Sequence, residues 1–358
     1  MLKDGLYIVN KLEDNGFSAY IVGGAVRDFI LSIDSVDIDI CTNARVDDIC
    51  RIFSGAIPGE FGNAIVKHNN SRFEITTFRV EENYVNNRKP SSIKYVDNVE
   101  EDLYRRDFTM NTLLIDKNRK IIDYMSGVND IRMGIIRSVG DANDKFRDDV
   151  LRILRAIRFA TTLGFKLDNN VVDGINNNKK YLANLSYNRK KEELDKIFLS
   201  DNILDGIKLL KRYGLDKELD LYDLDKIKSR YDLLGIWSIV DKNNLYPFNK
   251  NEFNIIKGIR EIIDKKIDNN ILYKHGLYIC KIVSDIRGEG CIVSRYNSLP
   301  IKSRSDIDIS GDDILLLLGM GEGKYIEEIF VRVEEEIINS RLNNNKDDII
   351  NFIKIYYL

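Results

Sequence analysis

Histidine is nearly missing from this chain: among 358 residues only His68 and His275 occur, beside four prolines, four cysteines and one tryptophan. Two histidines leave little material for a multi-histidine metal site or a Ser-His-Asp triad. Cys41, Cys50, Cys280 and Cys291 form no Cys-x-x-Cys pair, and a chain this long needs no disulfide framework, so they read as reduced core thiols. No charge of one sign dominates. The 54 Lys and Arg stand against 57 Asp and Glu, a net charge of −3, so any polyanion site must be local rather than a global basic field. Long apolar runs are also missing: "ILLLLGM" (314–320) falls far short of the ~20 residues of a membrane span. Charges scattered through "MLKDGLYIVNKLEDNGFSAY" argue against a signal peptide, so the expectation is a cytoplasmic protein with no membrane attachment. Carboxylates and arginines are left to carry any chemistry.

The length predicts two to four packed units. Up to about residue 140, "AYIV" (19–22), "VDIDIC" (36–41), "NAIVKH" (63–68), "RFEITTFRV" (72–80) and "TLLIDK" (112–117) read as short strands separated by helical stretches. From "FRDDVLRILRAIRFATTLGF" (146–165) onward, apolar residues recur at steps of three and four and helices dominate. The fold class is therefore α+β: a mixed sheet with helices, then an all-α remainder. "SVGDAND" near residue 140 reads as the joining loop, and "DKNNLYPFNKN" (241–251) as a further break.

One stretch concentrates the chemistry: "VGGAVRDFILSIDSVDIDI" (22–40). Gly23 and Gly24 fall where a strand turns into a helix, and glycines let the backbone approach a ligand whose negative charge suits the helix start. Arg27 and Asp28 follow on the first turn. Asp37 and Asp39 alternate along the next strand, where a period of two puts both carboxylates on one face. Paired acids repel unless a cation lies between them, and Mg²⁺ commonly takes one or two carboxylates plus substrate phosphates. Such a pair suits nucleotidyl transfer with two metal ions, one at the attacking hydroxyl and one at the leaving pyrophosphate. Glu74 on "RFEITTFRV" is the candidate third acid.

In order along the chain, "GGAVRD", "DIDICTNA", "LYRRDFTMNTLLID" (103–116), "DYMSGVNDIRMGIIRSVGD" (123–141) and "FRDDVLRILRAIRFATTLGF" resemble the successive motifs of class II tRNA nucleotidyltransferases, in the polymerase-beta superfamily. The resemblance covers about residues 17–200, and 309–337 is similar to the C-terminal element of bacterial CCA-adding enzymes. It implies a polymerase-beta-like catalytic head over 1–140, a base-selecting helical neck over 141–200, a helical body over 201–305 and a tRNA-binding tail over 306–358. It further implies untemplated addition of CCA to the tRNA 3′ end from CTP and ATP, with Mg²⁺ held by Asp37 and Asp39, tRNA as partner and no protein partner. Gly23, Gly24 and Arg27 would bind the triphosphate, and Arg106 and Asp107 the ribose.

Asp149, Arg152, Arg155 and Arg158 recur at steps of three, which on one helix makes a spiral stripe of adjacent side chains. A carboxylate accepts and a guanidinium donates. Adenine and cytosine each offer an amino donor beside a ring-nitrogen acceptor, and guanine and uracil reverse that order, so an Asp-plus-Arg edge fits the first two. The resemblance assigns base selection to Asp149 and Arg152, leaving Arg155 and Arg158 for the triphosphate or RNA end. Asp148 stands where the family carries Glu. Asn111 reads as holding its loop through backbone hydrogen bonds.

The segment "RVEENYVNNRKPSSIKYV" (79–96) is a full-length flexible loop containing Arg88 and Pro90, with Asn86 where the family carries Asp. Its length disfavours relatives that add only two cytidines. Poly(A) polymerases carry a basic run ahead of the "TTFR" strand that "KHNNSRFEITTFRV" lacks, and an A-adding-only enzyme keeps the loop. From other classes, a non-catalytic RNA-binding protein would not need Asp37 and Asp39, and an antibiotic-modifying nucleotidyltransferase would not need the helical body. In that body, "NRKK" (188–191), Lys208, Lys211 and Arg212 are candidate phosphate contacts.

Overall fold

The computed structural model describes residues 2–35, 37–59, 61–85, 89–321 and 323–358, without the side chains of 82–85 and 89–91. Arg88 and Asn86 of the expected loop lie outside the described residues, as does the side chain of Pro90. The chain divides into two compact units, Met1–Leu221 and Tyr222–Leu358.

The first unit is built on a seven-stranded sheet. Helix α1 (Leu2–Asp14) buries Leu6, Ile8, Val9 and Leu12. Strand β1 (Ala19–Val22) leads through Gly23 into α2 (Gly24–Ile30), followed by β2 (Ile38–Thr42) and α3 (Val46–Ile52). Then come β3 (Ile57–Pro58), β4 (Asn63–His68), β5 (Ser71–Thr77), β6 (Arg79–Val85), β7 (Lys89–Tyr95), α4 (Val99–Tyr104), β8 (Leu114–Ile115) and β9 (Ile121–Ile122). The sheet order is β3-β4-β5-β2-β1-β8-β9, and β6 with β7 makes a separate two-stranded ladder. The β2–β5 pair is parallel, with Ile38 beside Phe73 and Ile40 beside Ile75. All four are buried. The residues between them, Asp39 and Glu74, are also register partners and so share the opposite face. That face is covered in part by α4, whose Val99 and Leu103 pack with Val22, Cys41, Phe78 and Val96.

Two expected strands are shorter than their patterns suggested. The strand expected from Val36 starts at Ile38, which puts Asp37 just ahead of it. The run "RFEITTFRV" breaks at Phe78, which is fully buried and whose N–H donates to the Thr42 carbonyl, so β5 and β6 belong to different ladders.

Helix α5 (Gly127–Met133) leads into α6 (Ala142–Asp148) and α7 (Leu151–Leu163), followed by α8 (Asn169–Asn178), α9 (Tyr187–Phe198) and α10 (Ile203–Arg212). The single helix expected to carry Asp149 with the arginines is in fact two. Asp149 is extended (φ −135°, ψ 99°) at the end of α6, and its carboxylate accepts from the Leu151 N–H at 3.1 Å, opening α7. Arg152, Arg155 and Arg158 lie on α7, whose other face buries Ile153, Leu154, Ile157 and Ala160 against α9 and α10. Among the described residues past 146 the regular structure is helical apart from Lys166–Leu167, which pairs with Ile135–Ile136.

The second unit is helical among its described residues. Its helices from Lys250–Ile262 to Lys346–Tyr357 close over two apolar clusters, one around Ile259, Leu272 and Val283 and one around Ile314, Val333 and Ile349. Cys41 and Cys280 are the buried thiols expected, but Cys50 is half-buried and Cys291 exposed, which corrects the reading of all four as core. Among the described residues no helix is long and apolar enough to cross a membrane.

Candidate active site

Gly23 adopts φ 78° and ψ −131°, a conformation that disfavours any side chain, and it turns the chain out of β1 into α2. A Cβ placed on it would stand 3.5 Å from the Arg106 guanidinium, so the glycine turn and Arg106 are direct neighbours. Arg27, on α2, is buried and donates to Asp28 at 2.7 and 2.9 Å and to the Asn111 side-chain oxygen at 2.8 Å. Its guanidinium also lies 5.0 Å from the centre of the Phe159 ring, which Arg158 covers at 4.2 Å.

Asp107 joins the sheet half of the site to the helical half. One oxygen accepts from the Phe108 N–H at 2.8 Å and from Asn111 Nδ2 at 3.0 Å. The other receives two N–H groups of Arg155, at 2.7 and 2.6 Å. Burial pushes this carboxyl up, but Arg155, Asn111 and the Phe108 N–H outweigh it and hold it well below the usual carboxylate range. Asn111 holds its loop through its backbone N–H to the Phe108 carbonyl at 2.9 Å, as expected, and its side chain in addition links Arg27 to Asp107. Arg158 faces the buried Glu193 of α9 at 3.3 Å, and desolvation lowers its pKa to about 10.

Asp39 stands among other acids. Burial raises its carboxyl above the ordinary value, Glu74 and Asp37 raise it further, and Arg106 opposes them. Asp37 is exposed ahead of β2. Glu74 accepts from Asn63 Nδ2 at 2.6 Å. Among the described residues no group of three or more His, Cys, Asp and Glu side chains is placed to hold a metal ion. Neighbouring carboxylates that repel one another are nonetheless the donor set that a hard cation, completed by substrate phosphates, would relieve.

Arg152 is clamped by two carbonyls, those of Arg105 at 2.9 Å and Lys145 at 3.2 Å. Burial, aided by Arg152, lowers the Lys145 pKa to about 8. A cleft of about 420 Å³ gathers Gly23, Gly24, Arg27, Asp39, Arg106, Asp107, Asp149, Arg152, Arg155 and Arg158 on its walls. Glu74 lies on an adjoining cavity that shares Asp39 and Arg106 with this cleft. Sequence reasoning missed Phe159, Glu193 and Asp102. Asp102 is fully buried and receives Arg105 at 2.9 Å and Arg106 at 3.2 Å, partners three and four residues on, and that spacing was the available signal. The candidate phosphate contacts of 188–212 are partly tied up on their own helices: Arg189 with Glu192, Lys191 with Asp195 and Lys208 with Asp205.

A glycine turn beside an acidic strand, faced by helical arginines across a polar cleft, is the layout of a nucleotidyltransferase. Residues 19–137 match the family described as "Poly A polymerase head domain", 164–219 "Probable RNA and SrmB- binding site of polymerase A", and 248–353 a tRNA nucleotidyltransferase domain 2. The chain is 33% identical to the CCA-adding enzyme of Ligilactobacillus salivarius over 97% of its own length and 95% of that protein's. It is likewise 33% identical to that of Bacillus licheniformis, with 95% of each covered. The Bacillus stearothermophilus CCA-adding enzyme solved in complex with CTP superposes with a TM-score of 0.85 at 28% identity, covering 99% of this chain and 97% of that one. The chain belongs to the CCA-adding enzymes, nucleotidyltransferases that build the tRNA 3′ end from CTP and ATP.

Proposed function

We propose that the cleft is where this enzyme joins CMP and AMP to a tRNA 3′ end, in the cytoplasm, with Mg²⁺ held by Asp37 and Asp39. The bond formed links the tRNA 3′-oxygen to the α-phosphorus; the bond broken links that phosphorus to the β-phosphate, and pyrophosphate leaves. When bound, the metal supplies charge neutralisation at the reacting oxygens and a lowered pKa for the attacking hydroxyl.

The chain's own residues do the positioning. Gly23, Gly24 and Arg27 hold the triphosphate, Arg27 being fixed by Asn111 and Asp28 so that it meets phosphate without reorganising. Arg106 and Asp107 meet the ribose, and Glu74, the register partner of Asp39, is the third acid. Arg155 and Arg158 add positive charge beside the triphosphate or RNA end. Asp149 accepts the amino group of adenine or cytosine while Arg152, clamped by two carbonyls, donates to the ring nitrogen. Arg79 lines the adjoining cavity and opens β6, and the described residues of the segment expected as a flexible loop pair there as the β6–β7 ladder.

The observation that carries this reading is that one cleft gathers the glycine turn, Asp39 and the base-reading pair, residues more than a hundred positions apart. Replacing Asp39 with Asn should abolish incorporation of both CTP and ATP while CTP still binds; unchanged incorporation would remove Asp39 from the reaction.

A further inference from the structure

We infer that the cavity adjoining the nucleotide cleft receives the 3′-terminal nucleotide of the RNA acceptor, with Phe61 as the surface on which its base stacks. This inference rests on the nucleotidyl-transfer reading above. The cavity, about 360 Å³, shares Asp39 and Arg106 with the nucleotide cleft and adds Phe61, Asn63, Glu74 and Arg79. Gly24 and Arg27 line the first cavity but not the second, and Phe61 and Glu74 the second but not the first. In-line displacement needs the attacking hydroxyl and the leaving pyrophosphate on opposite sides of the α-phosphorus. With the triphosphate on the glycine turn and Asp39 at the junction, the hydroxyl arrives from the second cavity.

The chemistry of that cavity suits an RNA end. Phe61 leaves 46% of its surface exposed, and its carbonyl accepts from the Arg79 guanidinium, which ties the turn before β4 to the start of β6. Arg106 Nε is buried and has no hydrogen-bond partner among the described residues, a donor in want of an acceptor beside the reacting centre. An exposed ring next to cations is how proteins hold single-stranded ends, because every base has a face that stacks. Tolerance matters here. Three successive additions present the base that precedes the CCA, then a cytosine, then a second cytosine, and hydrogen-bond readout tuned to one of these would reject another.

The test separates tRNA from nucleotide. On tRNA ending in CC, Phe61→Ala should raise KM for tRNA about tenfold, the scale of one lost base–aromatic stack. KM for ATP should stay within about twofold, and Phe61→Trp should restore KM for tRNA. A tRNA whose terminal nucleotide lacks its base should be penalised by a similar factor with the native enzyme and by little further with Phe61→Ala. An unchanged KM for tRNA in Phe61→Ala, or an abasic penalty equal in both proteins, overturns the inference. Should Phe61→Ala not fold, the native enzyme alone decides, since an unchanged KM for the abasic tRNA overturns it. Failure of the underlying reading would look different: the native enzyme would extend no tRNA at all.

Discussion

Asp39 is exposed on β2, yet its carboxyl faces a cleft among other acids, where desolvation, Glu74 and Asp37 raise it and Arg106 opposes them. A group with a raised folded-state pKa stabilises below its unfolded value, and that contribution is lost as pH rises through the folded value. At neutral pH the ionised Asp39 therefore weakens the free enzyme, and Asp39→Asn should melt higher than the native protein without divalent ions. Adding Mg²⁺ should raise the melting temperature of the native protein and leave Asp39→Asn nearly unmoved; equal responses would contradict the metal assignment. Activity should fall as pH drops through the same raised value. Asp107 has the opposite sign. Its depressed pKa gives stability present above the ordinary carboxylate range and lost only in strong acid. Asp107→Ala leaves Arg155 without its two-bond partner and should cost about 3 kcal/mol, toward the low end for a broken buried pair because Arg155 is partly exposed. Thermal unfolding at pH 7 measures it, and a loss under about 1 kcal/mol would mean water replaces the carboxylate.

At the scale of elements, the break between α6 and α7 matters most. Asp149 ends α6, its carboxylate accepts the Leu151 N–H just past Val150, the residue at the cap of α7, and it also walls the cleft. An Asn side-chain oxygen can accept the same bond, whereas Ala cannot. Asp149→Asn should thus keep native stability yet lose selection against GTP and UTP, because its amide can present a donor where the carboxylate only accepts. Full discrimination in Asp149→Asn would assign Asp149 to the turn between the two helices alone. The break was hidden in the sequence because the Asp-Arg-Arg-Arg spacing runs through it at helical steps, and nothing local marks an extended residue between two helical runs. Strands fared better where the apolar pattern was local: Asn63–His68, which alternates, and Ala19–Val22, which is mostly buried, have the expected bounds. The strand across Phe78 did not, since the departure depends on a partner at Thr42 that no local pattern announces. Likewise the glycine turn, the acidic strand and the α7 arginines were legible as motifs. The side-chain role of Asn111 was not, because Arg27 lies 84 positions away in sequence.

The whole molecule is a sheet-based unit carrying the cleft and a separate helical unit, Tyr222–Leu358. Almost its entire length aligns with CCA-adding enzymes, so the resemblance seen over residues 17–200 and 309–337 extends to the intervening body, whose sequence offered only helical periodicity. Helical packing tolerates many apolar sequences, which is why that body kept its fold legible and its kinship hidden. The central claim is that one cleft adds C, C and A in turn without a template. Purified protein offered tRNAs lacking CCA, CA or A, each with a single nucleoside triphosphate, tests it most directly. The account predicts C on the first, C on the second, A on the third, and nothing from GTP or UTP. Addition of A alone to the CC-ending tRNA, or of long A tails to any end, would contradict it.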